Sequence, residues 1–146
     1  MKTILLLDDN DVVLRILGTF LRLNAGYCVL EATTLQGAID QFNHWKHEID
    51  LLITDVCIAG ESGNAIAGPF TTMRPDLRVL FISGYPQDHL VGNGVLRVTD
   101  PFLAKPFSPT VFLRCVRDVL DGSYQAPIVN GHRQASSGYG TKSWFK

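Results

Sequence analysis

The sequence predicts an α/β fold, a doubly wound five-stranded parallel sheet with helices on both faces. Two observations carry this. Short apolar runs of the fully buried kind, such as Leu51-Leu52-Ile53 and Val79-Leu80-Phe81-Ile82, alternate with segments of helical periodicity, and that alternation implies right-handed crossovers between parallel strands. Chemically active residues then recur where the runs stop, at the carboxyl ends of strands, which is where open α/β sheets hold their ligands. At 146 residues the chain is about the size of one domain and long enough to bury a core.

Residues 4–7 read as the first strand, with Asp8, Asp9, Asn10 and Asp11 at its carboxyl end. Four consecutive apolar residues are too few for a signal sequence or a spanning helix. Asn10 or Asp11 caps a helix over residues 12–24 that turns Val13, Ile16, Leu17, Phe20 and Leu21 inward and stops at Gly26. Residues 27–32 are strand two. Thr33 or Thr34 caps a second helix, to about residue 47, with Ala38, Ile39, Phe42 and Trp45 on its inner face. Strand three ends at Asp55, and a loop with Gly60 and Gly63 leads to a third helix from about Asn64 that stops before Arg74-Pro75. Residues 78–83 form a buried fourth strand ended by Gly84-Tyr85-Pro86, and residues 87–91 a short helix limited by Gly92 and Gly94. Phe102-Leu103-Ala104, bracketed by Pro101 and Pro106, is strand five. A last helix over residues 108–120 has Ser108 as cap, Pro109 in its first turn and Gly122 after its end.

The domain is therefore expected over residues 1–122, followed by a tail, 123–146, that is flexible or docks a partner. The tail is rich in Gly, Ser, Gln and Asn, with isolated Tyr139, Trp144 and Phe145 and too little apolar periodicity for a second domain. The balance of 13 Lys plus Arg against 14 Asp plus Glu leaves a net charge of -1, which argues against a nucleic-acid surface. Cys28, Cys57 and Cys115 lack metal or redox spacing and fit reduced thiols in a cytoplasmic protein, with Cys28 and Cys115 as core filler. His44, His47, His89 and His132 share no strand-end position or ligand spacing and read as surface residues.

In such a sheet the strand ends bring together Asp8, Asp9, Asp55, Ser83 and Lys105. Three carboxylates side by side repel one another unless a cation neutralises them. Mg2+ suits the site because it takes one or two carboxylates with waters and a phosphate oxygen. The Lys105 ammonium and the Ser83 hydroxyl complete a pocket for a phosphoryl group, and one aspartate is left to act as nucleophile and form an acyl phosphate.

The acidic pair after strand one, the aspartate ending strand three, the serine ending strand four and the Lys105-Pro106-Phe107 run resemble the receiver domain of two-component response regulators. The resemblance covers residues 1–122. It implies a flavodoxin-like strand order 2-1-3-4-5, Asp55 as phosphoacceptor, and a Mg2+ site made by Asp8, Asp9, Asp55 and the main-chain carbonyl of Cys57. It further implies Ser83 and Lys105 as phosphoryl ligands, Ser83 and Phe102 as the switch pair, and a cis Lys105–Pro106 bond. Two departures stand out: Ala59 where the family usually has proline, and Phe102 in place of a frequent tyrosine. The runs around Ser83 and Lys105 resemble receivers attached to hybrid histidine kinases.

The expected function follows: a chemotaxis-regulator-like, stand-alone phosphoacceptor in a phosphorelay, catalysing only its own phosphorylation and dephosphorylation. Its partners would be a histidine kinase or histidine phosphotransfer protein and a downstream protein on the helix 4–strand 5–helix 5 face, with no direct nucleic acid and no membrane insertion. Two alternatives share the fold. A degenerate receiver acting as an interaction module would lack key residues, and all five are present. A flavodoxin-like cofactor binder needs a Ser/Thr/Gly-rich phosphate loop where this chain has four residues, Asp8-Asp9-Asn10-Asp11. An aspartyl phosphatase would want an acid where Cys57 stands.

Overall fold

Five apolar runs become the strands β1 (Thr3–Leu7), β2 (Cys28–Ala32), β3 (Ile49–Asp55), β4 (Arg78–Ser83) and β5 (Phe102–Ala104) of one parallel sheet, in the order β2-β1-β3-β4-β5. The helices are α1 (Asp11–Ala25), α2 (Leu35–Trp45), α3 (Gly63–Met73), α4 (Gln87–Gly92) and α5 (Pro109–Asp121). This computed structural model describes residues 1–125 together with Ile128, Val129, His132 and Arg133, which form a short antiparallel pairing. The expectations for Tyr139, Trp144 and Phe145 lie outside the described residues. Among the described residues no helix is long and apolar enough to cross a membrane. Two compact units divide the chain, Met1–Val79 and Leu80–Lys146.

In the first unit β1 pairs with β2 on one side and β3 on the other. All four apolar side chains Ile4 to Leu7 are buried, as a strand covered on both faces requires. A core of Leu5, Leu7, Phe42, Leu52, Ile66 and Phe70 fills one face, and the rings of Phe42 and Phe70 meet edge to face with centroids 5.3 Å apart. Arg74, just past α3, donates from its guanidinium to the carbonyls of Lys46 and Ile49, fastening the turn between α2 and β3.

Asn10 is the cap of α1, its side chain accepting from the amides of Val12 and Val13 at 3.0 and 3.2 Å. The helix buries Leu14, Leu17 and Leu21, while Ile16, expected inside, is 37% exposed. Positions 13, 16 and 20 and positions 14, 17 and 21 are two overlapping stripes of helical spacing, and spacing alone does not choose between them. Packing against β2 decides: Arg22 reaches over to Glu31 at 2.6 Å and to the Val29 carbonyl at 3.1 Å. A Cβ on Gly18 would stand 2.8 Å from Glu31 Oε2, so glycine makes room for that pair. Trp45, also expected inside, is half-exposed and packs edge to face on His44.

In the second unit β4 and β5 pair through Phe81 with Phe102, Ile82 with Leu103 and Ser83 with Ala104. Ser108 caps α5 by accepting from the Val111 amide at 3.1 Å, and Gly122, at φ 76°, ends it. The irregular stretch between α4 and β5 is closed by Asp100, a buried carboxylate that accepts from the Arg97 amide and its guanidinium, each at 2.9 Å. Cys115 is core filler as expected, and burial, reinforced by Asp118, pushes its thiol up to about 12. Cys28 is not: it opens strand β2 and is exposed.

Candidate functional site

The register between β1 and β3 sets the acidic end of the first unit. Leu7 pairs with Thr54, so the next residues on the two strands, Asp8 and Asp55, leave the sheet side by side. Asp8 is buried, and its Oδ1 accepts from the Asn10 amide at 2.8 Å. Asp55 is partly buried, and its Oδ1 accepts from the Cys57 amide at 3.2 Å. Each carboxylate thus has an oxygen held by the main chain, which fixes where the group points. Thr54, fully buried behind Asp55, donates from its hydroxyl to the Asp55 carbonyl at 2.9 Å. Asp9 and Cys57 are exposed.

Among the described residues no three His, Cys, Asp or Glu side chains form a group that could hold a metal ion on their own. What these strand ends offer is hard oxygen, carboxylate and carbonyl, in small number. That donor set fits Mg2+, which keeps several waters and is bound by one or two carboxylates, and does not fit a caged transition metal.

The loop after Asp55 is a two-residue hairpin, with Cys57 paired to Ser62 and Ile58 to Glu61. Its turn residues Ala59 and Gly60 both have positive φ, 48° and 84°, as a type I′ turn demands. This accounts for the absence of proline at position 59, since proline is confined to φ near −65°. Ala59→Gly should therefore raise stability by about 1 kcal/mol and Ala59→Pro lower it by about 3 kcal/mol or more. Urea unfolding of the two variants measures both, and a neutral proline variant would contradict the left-handed turn.

In the second unit Ser83 ends β4 and is buried, its hydroxyl oxygen accepting from the Tyr85 amide at 3.0 Å. A hydroxyl that accepts one bond still has its own proton to donate. Lys105 follows β5, and its amide donates to the Ser83 carbonyl at 2.8 Å, so the two residues are joined through the main chain. Lys105–Pro106 is cis. Phe102 is fully buried, and its main-chain N–H and C=O both bond the hydroxyl of Tyr124, at 3.2 and 3.3 Å. Sequence reading missed this contact, because Tyr124 lies in the Gly/Ser-rich stretch assigned to the tail.

Residues 4–117 match the response regulator receiver domain family. The chain belongs to that family. The receiver is 29% identical over 119 residues to the sensor kinase CckA of Brucella abortus (strain 2308), a match that takes in 82% of this chain and 12% of that one. It thus corresponds to a small part of that relative's length. The crystal structure of the receiver domain of the hybrid histidine kinase CckA is similar at 30% identity with a TM-score of 0.66, over 81% of this chain and 98% of the other. A CheX–CheY–BeF3–Mg2+ complex from Borrelia burgdorferi shares the fold at 19% identity with a TM-score of 0.70, over 81% and 88% of the two chains.

Proposed function

We propose that this receiver takes a phosphoryl group onto Asp55 from a phosphohistidine of a histidine kinase or histidine phosphotransfer protein, in the presence of Mg2+. The observation that carries this is the register that sets Asp8 beside Asp55, with one Asp55 oxygen held by the Cys57 amide. A carboxylate oxygen of Asp55 is then the attacking atom. It forms an O–P bond as the P–N bond to the donor imidazole breaks; the bonding pair stays on that nitrogen, and because the other ring nitrogen of the phosphohistidine already carries a proton the donor leaves as neutral imidazole. Asp8, Asp9, Asp55 and the Cys57 carbonyl would hold Mg2+, which when bound offsets charge on the phosphoryl oxygens. The Ser83 hydroxyl and the Lys105 ammonium supply charge-assisted hydrogen bonds to the same oxygens. Chemistry on substrates other than its own aspartyl phosphate is not part of this reading.

The domain is proposed to span residues 1–122 and to act in the cytoplasm, its output being a changed surface on α4, β5 and α5. One of the structural neighbours holds BeF3 and Mg2+ together, which supports beryllofluoride as the phosphoryl mimic to try. Acetyl phosphate should label the receiver only with Mg2+ present. Asp9→Ala should raise the Mg2+ midpoint of that labelling about tenfold or more, because one of few hard ligands is lost. Labelling that proceeds equally in EDTA would reject the reading.

A further inference from the structure

Inside strand β3 one hydroxyl stands where the pattern asks for an apolar side chain. Leu51, Leu52, Ile53 and Thr54 are all fully buried, and valine would fill position 54 with nearly the same shape and no hydroxyl to desolvate. A polar group kept in an apolar run, one residue before Asp55, points to a use in the site and not in the core.

That hydroxyl donates to the main-chain carbonyl of Asp55 at 2.9 Å. The bond holds the plane of the Asp55–Val56 peptide, the first one after the carboxylate's own α-carbon. The next peptide is held as well, because the Gly63 amide donates to the Val56 carbonyl at 2.7 Å. In a trans peptide the N–H points away from the C=O, and the N–H opposite that carbonyl is the Cys57 amide, which donates to Asp55 Oδ1 at 3.2 Å. Two successive peptides are thus tied, and the second of them grips the carboxylate.

We propose that Thr54 is a positioning residue for phosphoryl transfer. Its hydroxyl, acting through the Asp55–Val56 peptide, sets the Cys57 amide against the Asp55 carboxylate and so keeps that carboxylate aimed at phosphorus. Thr54 itself touches none of the reacting atoms. This deepens the phosphoacceptor reading above and rests on it. In-line attack depends on aim, so a small displacement of the attacking group costs rate out of proportion to its effect on stability.

The test compares two substitutions in the full chain. Thr54→Val keeps the branched shape and removes the hydroxyl, whereas Thr54→Ser keeps the hydroxyl and removes a buried methyl. At saturating Mg2+ and acetyl phosphate, Thr54→Val should label about three- to tenfold more slowly and Thr54→Ser within about twofold of the parent, since one such hydrogen bond is worth roughly a two- to tenfold change. Urea unfolding should rank them differently, with Thr54→Ser below the parent because the lost methyl leaves core contacts unmade. A merely structural threonine would make labelling follow stability. Parent-like labelling of Thr54→Val would therefore overturn the proposal, and so would Thr54→Ser labelling as slowly as Thr54→Val. The Cys57 amide proton gives a reading without any phosphodonor: its NMR resonance should move upfield in Thr54→Val, as the bond to Asp55 Oδ1 lengthens, and stay in place in Thr54→Ser. A resonance that does not move in Thr54→Val would overturn the tie even if labelling slowed. A parent chain that gains no phosphoryl group on Asp55 would overturn the phosphoacceptor reading and the role in transfer with it, while the Cys57 resonance still decides whether the hydroxyl positions the carboxylate.

Discussion

Asp55→Asn is expected to end labelling by acetyl phosphate, a loss of more than about 10^3-fold, while leaving the fold in place. The amide is nearly the same shape as the carboxylate, and its oxygen accepts the same bond from the Cys57 amide that Asp55 Oδ1 accepts at 3.2 Å. What disappears is the anionic oxygen that attacks phosphorus. Asp8 leaves the sheet next to Asp55 and Asp9 follows it, so removing one charge also relieves like-charge repulsion. Without divalent cation the variant should unfold at the same urea concentration as the parent or a slightly higher one. Intact-mass spectrometry reads the label and urea unfolding reads the fold. A variant that unfolds normally and still gains one phosphoryl mass would remove Asp55 from the proposed chemistry.

The architecture was legible because its strands are unusually plain. Five apolar runs, each stopped by polar or turn residues, give little choice of where a parallel sheet can form, and the caps Asn10, Thr34 and Ser108 are all side chains that accept amide protons at helix starts. Strand β3 reaches back to Ile49, which pairs with Thr3 across a register shift where Thr3 donates its amide to the Asp50 carboxylate. The site residues were legible for a related reason: strand ends are where chemistry collects in such sheets, and Asp8, Asp55, Ser83 and Lys105 each follow or end a run.

Other features could not be read from spacing. The inward face of α1 depends on which of two apolar stripes meets β2, and Ile16, exposed between partly buried Val13 and Phe20, shows that the other stripe was available. The left-handed Ala59 is invisible in sequence because alanine carries no signal for positive φ, unlike the Gly60 beside it. Tyr124 was hidden by its company. Its bonds to Phe102 join residues far apart in sequence, and composition does not report them.

Ser83→Ala carries the other large effect. The resemblance implies Ser83 and Phe102 as the switch pair, and the Phe102 ring is already fully buried. The response expected here is therefore a shift of the bonding at the ends of β4 and β5, where the Lys105 amide meets the Ser83 carbonyl and the Tyr85 amide meets the Ser83 hydroxyl. A phosphoryl group brings about −1.5 to −2 charges, and a hydrogen bond to a charged group is worth about 1.5–3 kcal/mol. Deleting the hydroxyl should weaken beryllofluoride binding about 10- to 100-fold, since 1.4 kcal/mol is about a tenfold change in affinity. It leaves the Asp55 nucleophile untouched, so acetyl phosphate should still label the variant. It also takes away the acceptor for the Tyr85 amide, a cost of about 1 kcal/mol or more that urea unfolding would register in the unliganded protein. Amide shifts at residues 83–85 and 102–105, recorded across a beryllofluoride titration, separate the two effects. If Ser83→Ala saturates at the parent's concentration with the parent's shifts, the hydroxyl does not carry the response and the route through β4 is wrong.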